Sequence, residues 1–402
     1  MEIRSASGYR PERPAQNAPK AVTRSPKATT ANAPKPDTCE SSFQKPFGEQ
    51  MICADKDTLS FHGELPSMGE LKLYEPDESE KDGIDWESIE RYVSHIDITL
   101  DNADDLQRSV HHMASMYLAA KASLQHQYSD REDILSEKMS RLDDLLAKAK
   151  SRLTSSCQSS VGSFYEQQGN PGAAAELGKA FSSAFDERMK EMEELANEKG
   201  LLDNKENFSY TLAAVSLEIM SLDHWILSPD AEPSSLKDME AAGFVAKAAT
   251  KMNVSEWGLM SDSELGIHLA LQYLKMAHTL DHWGISEKMT DLLLGSFETY
   301  LGQQSGNILT NSKSASEPWQ YMLKQYEKTG DIKKAFTDSA RRYLDDSFFS
   351  DFITASNQGG MSHSTRYQLS LSRFLNSLEQ GNPADILQSI VGNGVWSMSA
   401  YA

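Results

Sequence analysis

From Asp101 to Val161 the chain contains neither proline nor glycine. These two residues are the usual means of ending a helix, so their absence over such a span strongly restricts the folds open to the chain. Apolar residues recur through this span at Leu106, Val110, Met113, Tyr117, Ala120 and Leu124, alternating steps of four and three. The same spacing resumes at Leu135, Met139, Leu142, Leu146, Ala149 and Leu153. This is a heptad seam, and the interval from Leu124 to Leu135 reads as a stutter that relaxes a left-handed supercoil. An unbroken helix of this length would extend on the order of 90 Å. It must therefore pack along partner helices, in this chain or another.

The sequence Gly169-Asn170-Pro171-Gly172 ends that element. A second helix over 173–198 follows, with Leu177, Phe181, Phe185, Met189, Met192 and Leu195 on one stripe, so the two elements are expected to form a hairpin. A short helix over 85–96 precedes the seam. Shorter helices are expected over 206–227, 235–252, 262–280, 286–301, 318–328, 332–355, 363–378 and 383–391. Ser261 with Glu264 has capping-box spacing, and Asn382 before Pro383 sets a cap before an N1 proline.

Seven of the fourteen prolines lie between Pro11 and Pro46, among Ala, Lys, Thr and Ser. Such a segment has too few large apolar side chains to offset its ordering entropy, so residues 1–54 are expected to be a disordered arm. Residues 55–83 read as a short β-hairpin, Thr58–His62 with Glu70–Tyr74, followed by an acidic solvated linker from Glu75 to Asp82. The fold class is therefore all-α: a long-helix hairpin over 84–200 and a multi-helix bundle over 201–402, preceded by the arm and the short hairpin.

The formal net charge is −20, although residues 1–45 hold eight Lys or Arg against four acids. A body this acidic repels phosphate backbones and anionic membranes, so no nucleic acid is expected as partner. Cys39, Cys53 and Cys157 form no C-x-x-C pair and no disulfide framework. No cleavable signal is visible. The longest apolar stretch, Thr211 to Met220, is interrupted by Glu218 and is too short for a membrane span. The expected setting is cytoplasmic, or exported without a cleavable signal peptide.

The tetrapeptide Leu-Asp-His-Trp occurs twice, at Leu222–Trp225 and Leu280–Trp283. Asp223, His224, Asp281 and His282 are the candidate metal ligands, since carboxylate and imidazole suit divalent ions. Adjacent helical residues diverge by about 100°, however, so one Asp-His pair cannot easily chelate a single ion. The plainer reading places Trp225 and Trp283 as anchors of helix ends in the core. His112 and Met116 share a helix face, as do Glu264 and His268, and packing or capping accounts for both pairs. The Gln358–Thr365 loop has hydroxyls and an imidazole but no nucleophile elbow. No dinucleotide, P-loop or EF-hand fingerprint is present, and no cofactor is expected.

In outline, a signal-less N-terminal arm before a long-helix body is similar to substrates of flagellar-type or type III export. The same outline fits a cytoplasmic scaffold. The first expectation is a non-enzymatic helical interaction or scaffold protein, joined to itself or to a protein partner through the seam of Leu106, Val110, Met113, Tyr117, Leu124, Leu135, Met139, Leu142, Leu146 and Leu153. The alternative is a metal-dependent hydrolase or metal-binding protein built on the two Asp-His-Trp segments.

Overall fold

A computed structural model describes residues 82–203, 207–221, 235–344 and 363–391. The N-terminal arm, the short β-hairpin, Leu222–Trp225 and the apolar tail beyond Val391 lie outside the described residues. Among the described residues every regular element is helical. In chain order these are α1 (Trp86–His95), α2 (Leu106–Gln127), α3 (Glu132–Cys157), α4 (Ser163–Gln167), α5 (Ala173–Glu198), α6 (Phe208–Ser221) and α7 (Ser235–Lys251). They continue as α8 (Asp262–His282), α9 (Glu287–Gln304), α10 (Ile308–Asn311), α11 (Lys313–Thr329), α12 (Ile332–Tyr343), α13 (His363–Gln380) and α14 (Pro383–Val391).

The expectation of one unbroken helix across the seam is corrected at Tyr128–Arg131. Ser129 and Asp130 favour local side-chain bonding to the backbone over helix propagation. The Tyr128 N–H donates to the Leu124 carbonyl at 2.9 Å and the Arg131 N–H to the Tyr128 carbonyl at 2.9 Å, closing a turn. Glu132 and Asp133 then stand in the first turn of α3, where carboxylates favour the positive end of the helix. The chain reverses, and Tyr117 on α2 donates to Asp143 on α3 at 2.9 Å. The supposed stutter is the turn of a helical hairpin.

Beyond α3 the helix passes through a π-helical turn, Gln158–Gly162, into α4. Gly169 and Gly172, both at φ 85°, supply the left-handed backbone that reverses the chain into α5. α5 returns along α3, with Lys150 and Asp186 2.6 Å apart. At the start of the body Asp82 is buried, contrary to its reading as part of a solvated linker. It accepts from the Ile84 N–H at 3.1 Å and the Trp86 indole at 2.9 Å, and pairs with Lys138 at 2.6 Å, pinning α1 to α3.

α8 is the central element. Its buried residues run almost continuously from Leu265 to Met276, so no side of it faces water over that length. α11, α12, α9, α13 and α14 all pack on it. α11 begins before Pro318, the residue expected to open it, because Ala315, Pro318, Trp319 and Met322 are all buried. The close approach of α8 to α11 depends on Gly266, where an added Cβ would fall on the Ala315 carbonyl oxygen. The main core cluster draws on α2, α3 and α5 as well as on α7 to α9 and α11 to α14.

Gly266→Ala is expected to destabilise the protein by about 1–3 kcal/mol, because the obstructing atom is backbone and can move only with its helix. Gly295→Ala, on the open side of α9 with nothing near its Cβ position, is expected to stabilise by about 0.4–1 kcal/mol. Urea unfolding midpoints measured at unchanged m-value check both, and equal effects of the two substitutions would remove the close-approach argument.

Candidate functional site

Six of the ten seam residues are buried in the chain's own core, and the other four are half-buried against it. Leu106, Val110 and Leu153 belong to the main cluster. Met113, Leu124 and Leu142 are buried in a second cluster, with Tyr117, Leu135, Met139 and Leu146 packed against it. Most of the apolar surface of the seam is thus covered by α2, α3 and their neighbours.

An apolar surface that is not closed lies on α6, the stretch from Thr211 to Met220 noted for its length. At 3.6 residues per turn, Phe208, Thr211, Val215 and Ile219 fall on one face, and these are the buried ones. That face packs mainly on α2 and touches α5, with Ala114, Leu118, Met192 and Ala196 beneath it. The opposite face carries Tyr210, Ala213, Leu217 and Met220. Tyr210 is 56% exposed, Leu217 69% and Met220 58%, three of the five large apolar side chains exposed among the described residues.

No charged side chain stands in this outer stripe. Glu218 lies at its flank, half-buried, 3.9 Å from Lys199. In a chain in which 24% of residues are charged, a solvated helix face would ordinarily carry Lys or Glu. α6 instead has two apolar faces and one partner helix pair. Sequence reasoning weighed this stretch only against a membrane span; its signal was apolar content on both sides of a 3.6-residue period.

The second concentration of unusual side chains is a polar line inside the core. His268, Gln272, Lys275 and Thr279 are all buried along one side of α8. His268 Nδ1 lies 3.1 Å from the Tyr367 hydroxyl on α13. Lys275 Nζ donates to Ser370 Oγ at 3.2 Å and to the Ser389 carbonyl at 3.0 Å, and sits 5.8 Å from the centre of the Phe374 ring. Ser389 is in the last turn of α14, where carbonyls lack helical partners and a cation complements the helix dipole. Lys275 therefore fastens α13 and α14 to the central helix.

Burial determines the titration of these groups. It pushes the Lys275 amine down to about 7, and pushes His268 down to about 3 with Lys275 adding to the effect. The Tyr367 hydroxyl is raised, by burial first and then by Glu264 and Glu256. His268 also meets the Trp257 ring, at 6.2 Å between centroids, so the expected Glu264–His268 face is core packing and capping and lines no cleft.

Of the candidate metal ligands, Asp223 and His224 lie outside the described residues. Asp281 is exposed and His282 half-buried at the end of α8. Trp283 is buried edge-on to Phe244 at 4.7 Å, anchoring that end in the core. No group of three or more metal-binding side chains comes together among the described residues. Comparison with known protein families, curated proteins and solved structures finds no match.

Lys275→Met is expected to raise stability at pH 7 by about 1–4 kcal/mol, because it removes a buried amine held by a hydroxyl and a carbonyl. The folded-state value of Lys275 is depressed, so the folded chain binds fewer protons than the unfolded chain between pH 7 and 10.5. The stability it withholds is regained as pH rises through that window. The advantage of the variant should therefore shrink toward pH 10.5 in paired unfolding curves, and a gap independent of pH would contradict the burial of the amine.

Proposed function

We propose that this chain is a non-enzymatic helical interaction protein whose docking surface is the outer face of α6. The observation that supports this reading is the uncharged apolar stripe Tyr210, Ala213, Leu217 and Met220 on a helix whose other apolar face is already packed. Apolar side chains repeating at three- and four-residue steps on an exposed helix are the form in which one helix recognises another. The seam first considered for this role is mostly buried within the chain, which favours α6 for the contact. Among the described residues no helix is long and apolar enough to cross a membrane.

The more strongly perturbed titratable groups also fit this reading. His268 and Lys275 are enclosed between α8, α13 and α14 and serve to join helices.

A benzophenone amino acid in place of Tyr210 preserves an aromatic ring and reports what lies over it. Illumination in cells is expected to give an adduct with a polypeptide, and the same residue placed at exposed Lys324 should give none. Leu217→Glu with Met220→Glu is expected to abolish the adduct while leaving helical content intact, with a stability change within about 0.5 kcal/mol at these exposed positions. An adduct pattern at Tyr210 no different from that at Lys324 would refute the assignment.

A further inference from the structure

We infer that α13 and α14 together form a detachable cap on α8, and that acid opens it by placing protons on His268 and Lys275. The inference is independent of the docking role proposed for α6.

The two helices are consecutive, and α13 packs more on α14 than on α8, so the pair can leave the central helix as a unit. Local opening in proteins commonly follows such supersecondary units. α13 turns Tyr367, Leu371, Phe374 and Leu378 inward at steps of four and three, while Gln368, Arg373, Asn376 and Glu379 are exposed. Among the partners of its inner face is the polar line of α8.

His268, Gln272 and Lys275 on that line are at most 2% exposed, yet they are incompletely matched. His268 Nδ1 meets the Tyr367 hydroxyl, but its Nε2 has no hydrogen-bond partner among the described residues, and neither has Gln272 Oε1 one turn on. Lys275 is held by the Ser370 hydroxyl and the Ser389 carbonyl, both uncharged. Each of these groups regains full hydration when the cap leaves. The contacts that position the cap therefore also favour its release, which an apolar interface of the same size would not do.

The surrounding groups set the direction of the response. Lys275 opposes a proton on His268 from within α8 itself. Tyr367 of α13 lies in the field of Glu264 of α8 and Glu256 of the turn over 254–259, and Trp257 of that turn meets the His268 ring. α12 brings Phe336 against Tyr367, and α11 brings Tyr326 to His278, about one turn beyond Lys275. Among the described residues no side chain of α9 bonds to His268 or Lys275. His278 also touches the Phe374 ring of the cap, but it is half-buried and Asp281 supports its proton, so it adds a smaller response of the same sign.

Burial in the closed state holds Lys275 at about 7 against an ordinary 10.5, and His268 at about 3 against 6.5. The closed cap thus binds fewer protons than the open one between pH 10.5 and 7 through Lys275, and between pH 6.5 and 3 through His268. Falling pH favours opening in both windows, by about tenfold per pH unit within each. Opening uncovers Leu371, Phe374, Ile386 and Ile390, all buried in the closed chain, so acidity governs how much apolar surface the molecule presents.

Amide hydrogen exchange of the full chain, read by mass spectrometry between about pH 8.5 and about pH 5.5 as protection relative to intrinsic exchange, tests the cap. Peptides from α13 and α14 are expected to lose about a hundredfold in protection over that range, while peptides from α2 and α3 keep theirs. Lys275→Met should remove the loss between about pH 8.5 and about pH 7, and His268→Asn most of the loss below about pH 6.5. Circular dichroism identifies any variant that has lost its fold, and the profile of the unsubstituted chain then decides. Protection in α13 and α14 that is the same at every pH overturns the inference. So does a loss shared equally by α2 and α3, or one that survives undiminished when both substitutions are combined.

Discussion

A helix enclosed on all sides has no solvent face on which to place polar side chains, and α8 nonetheless carries His268, Gln272, Lys275 and Thr279. Its enclosure orders the rest of the body. Two of these groups, His268 and Lys275, are met by the C-terminal helices, whereas Thr279 Oγ1 donates to the Lys275 carbonyl of α8 itself. Tyr367 and Ser370 come from α13, and the Ser389 carbonyl comes from the end of α14. On the other side, Gly266 lets the backbone of α11 approach closely enough to seal the helix from water. The apolar residues of α8 supply the bulk of its packing, and His268 and Lys275 add hydrogen bonds that hold α13 and α14 against it.

The N-terminal half is organised differently, by local reversal. α2 and α3 share one heptad rhythm, and the short turn at Tyr128–Arg131 folds the second half of that rhythm back on the first. α5 then returns along α3. Three successive helices thus close their apolar stripes against one another and against α6. The asymmetry of α6 follows from its place at the edge of this layer. It covers α2 with one face and has no further helix of the described chain outside it. Its outer face presents Tyr210, Leu217 and Met220 to solvent.

The proposed docking role concerns the surface of α6, whereas the buried polar line joins helices inside the core. Lys275 fits this division. A buried amine held by uncharged acceptors destabilises the folded state, yet hydrogen bonds to α13 and the end of α14 fix two helices to the central one.

Much of the helical content was legible in the sequence because punctuation is local. The reversal at Gly169–Gly172, the cap at Ser261 and the proline after Asn382 act within a turn of the chain, and the corresponding helices begin where those residues place them. The turn at Tyr128–Arg131 was not legible, because heptad spacing is the same whether the second half of a seam continues outward or folds back. Only the packing of Tyr117, Met113 and Leu142 in one cluster distinguishes the two. The candidate surface was hidden for a related reason. The stretch Thr211–Met220 states that α6 is apolar on two sides, and which side would remain uncovered depends on how many helices reach it. Local sequence determined where helices start, stop and turn their apolar faces; the tertiary structure alone decided which faces met, since that depends on contacts between residues far apart in the chain.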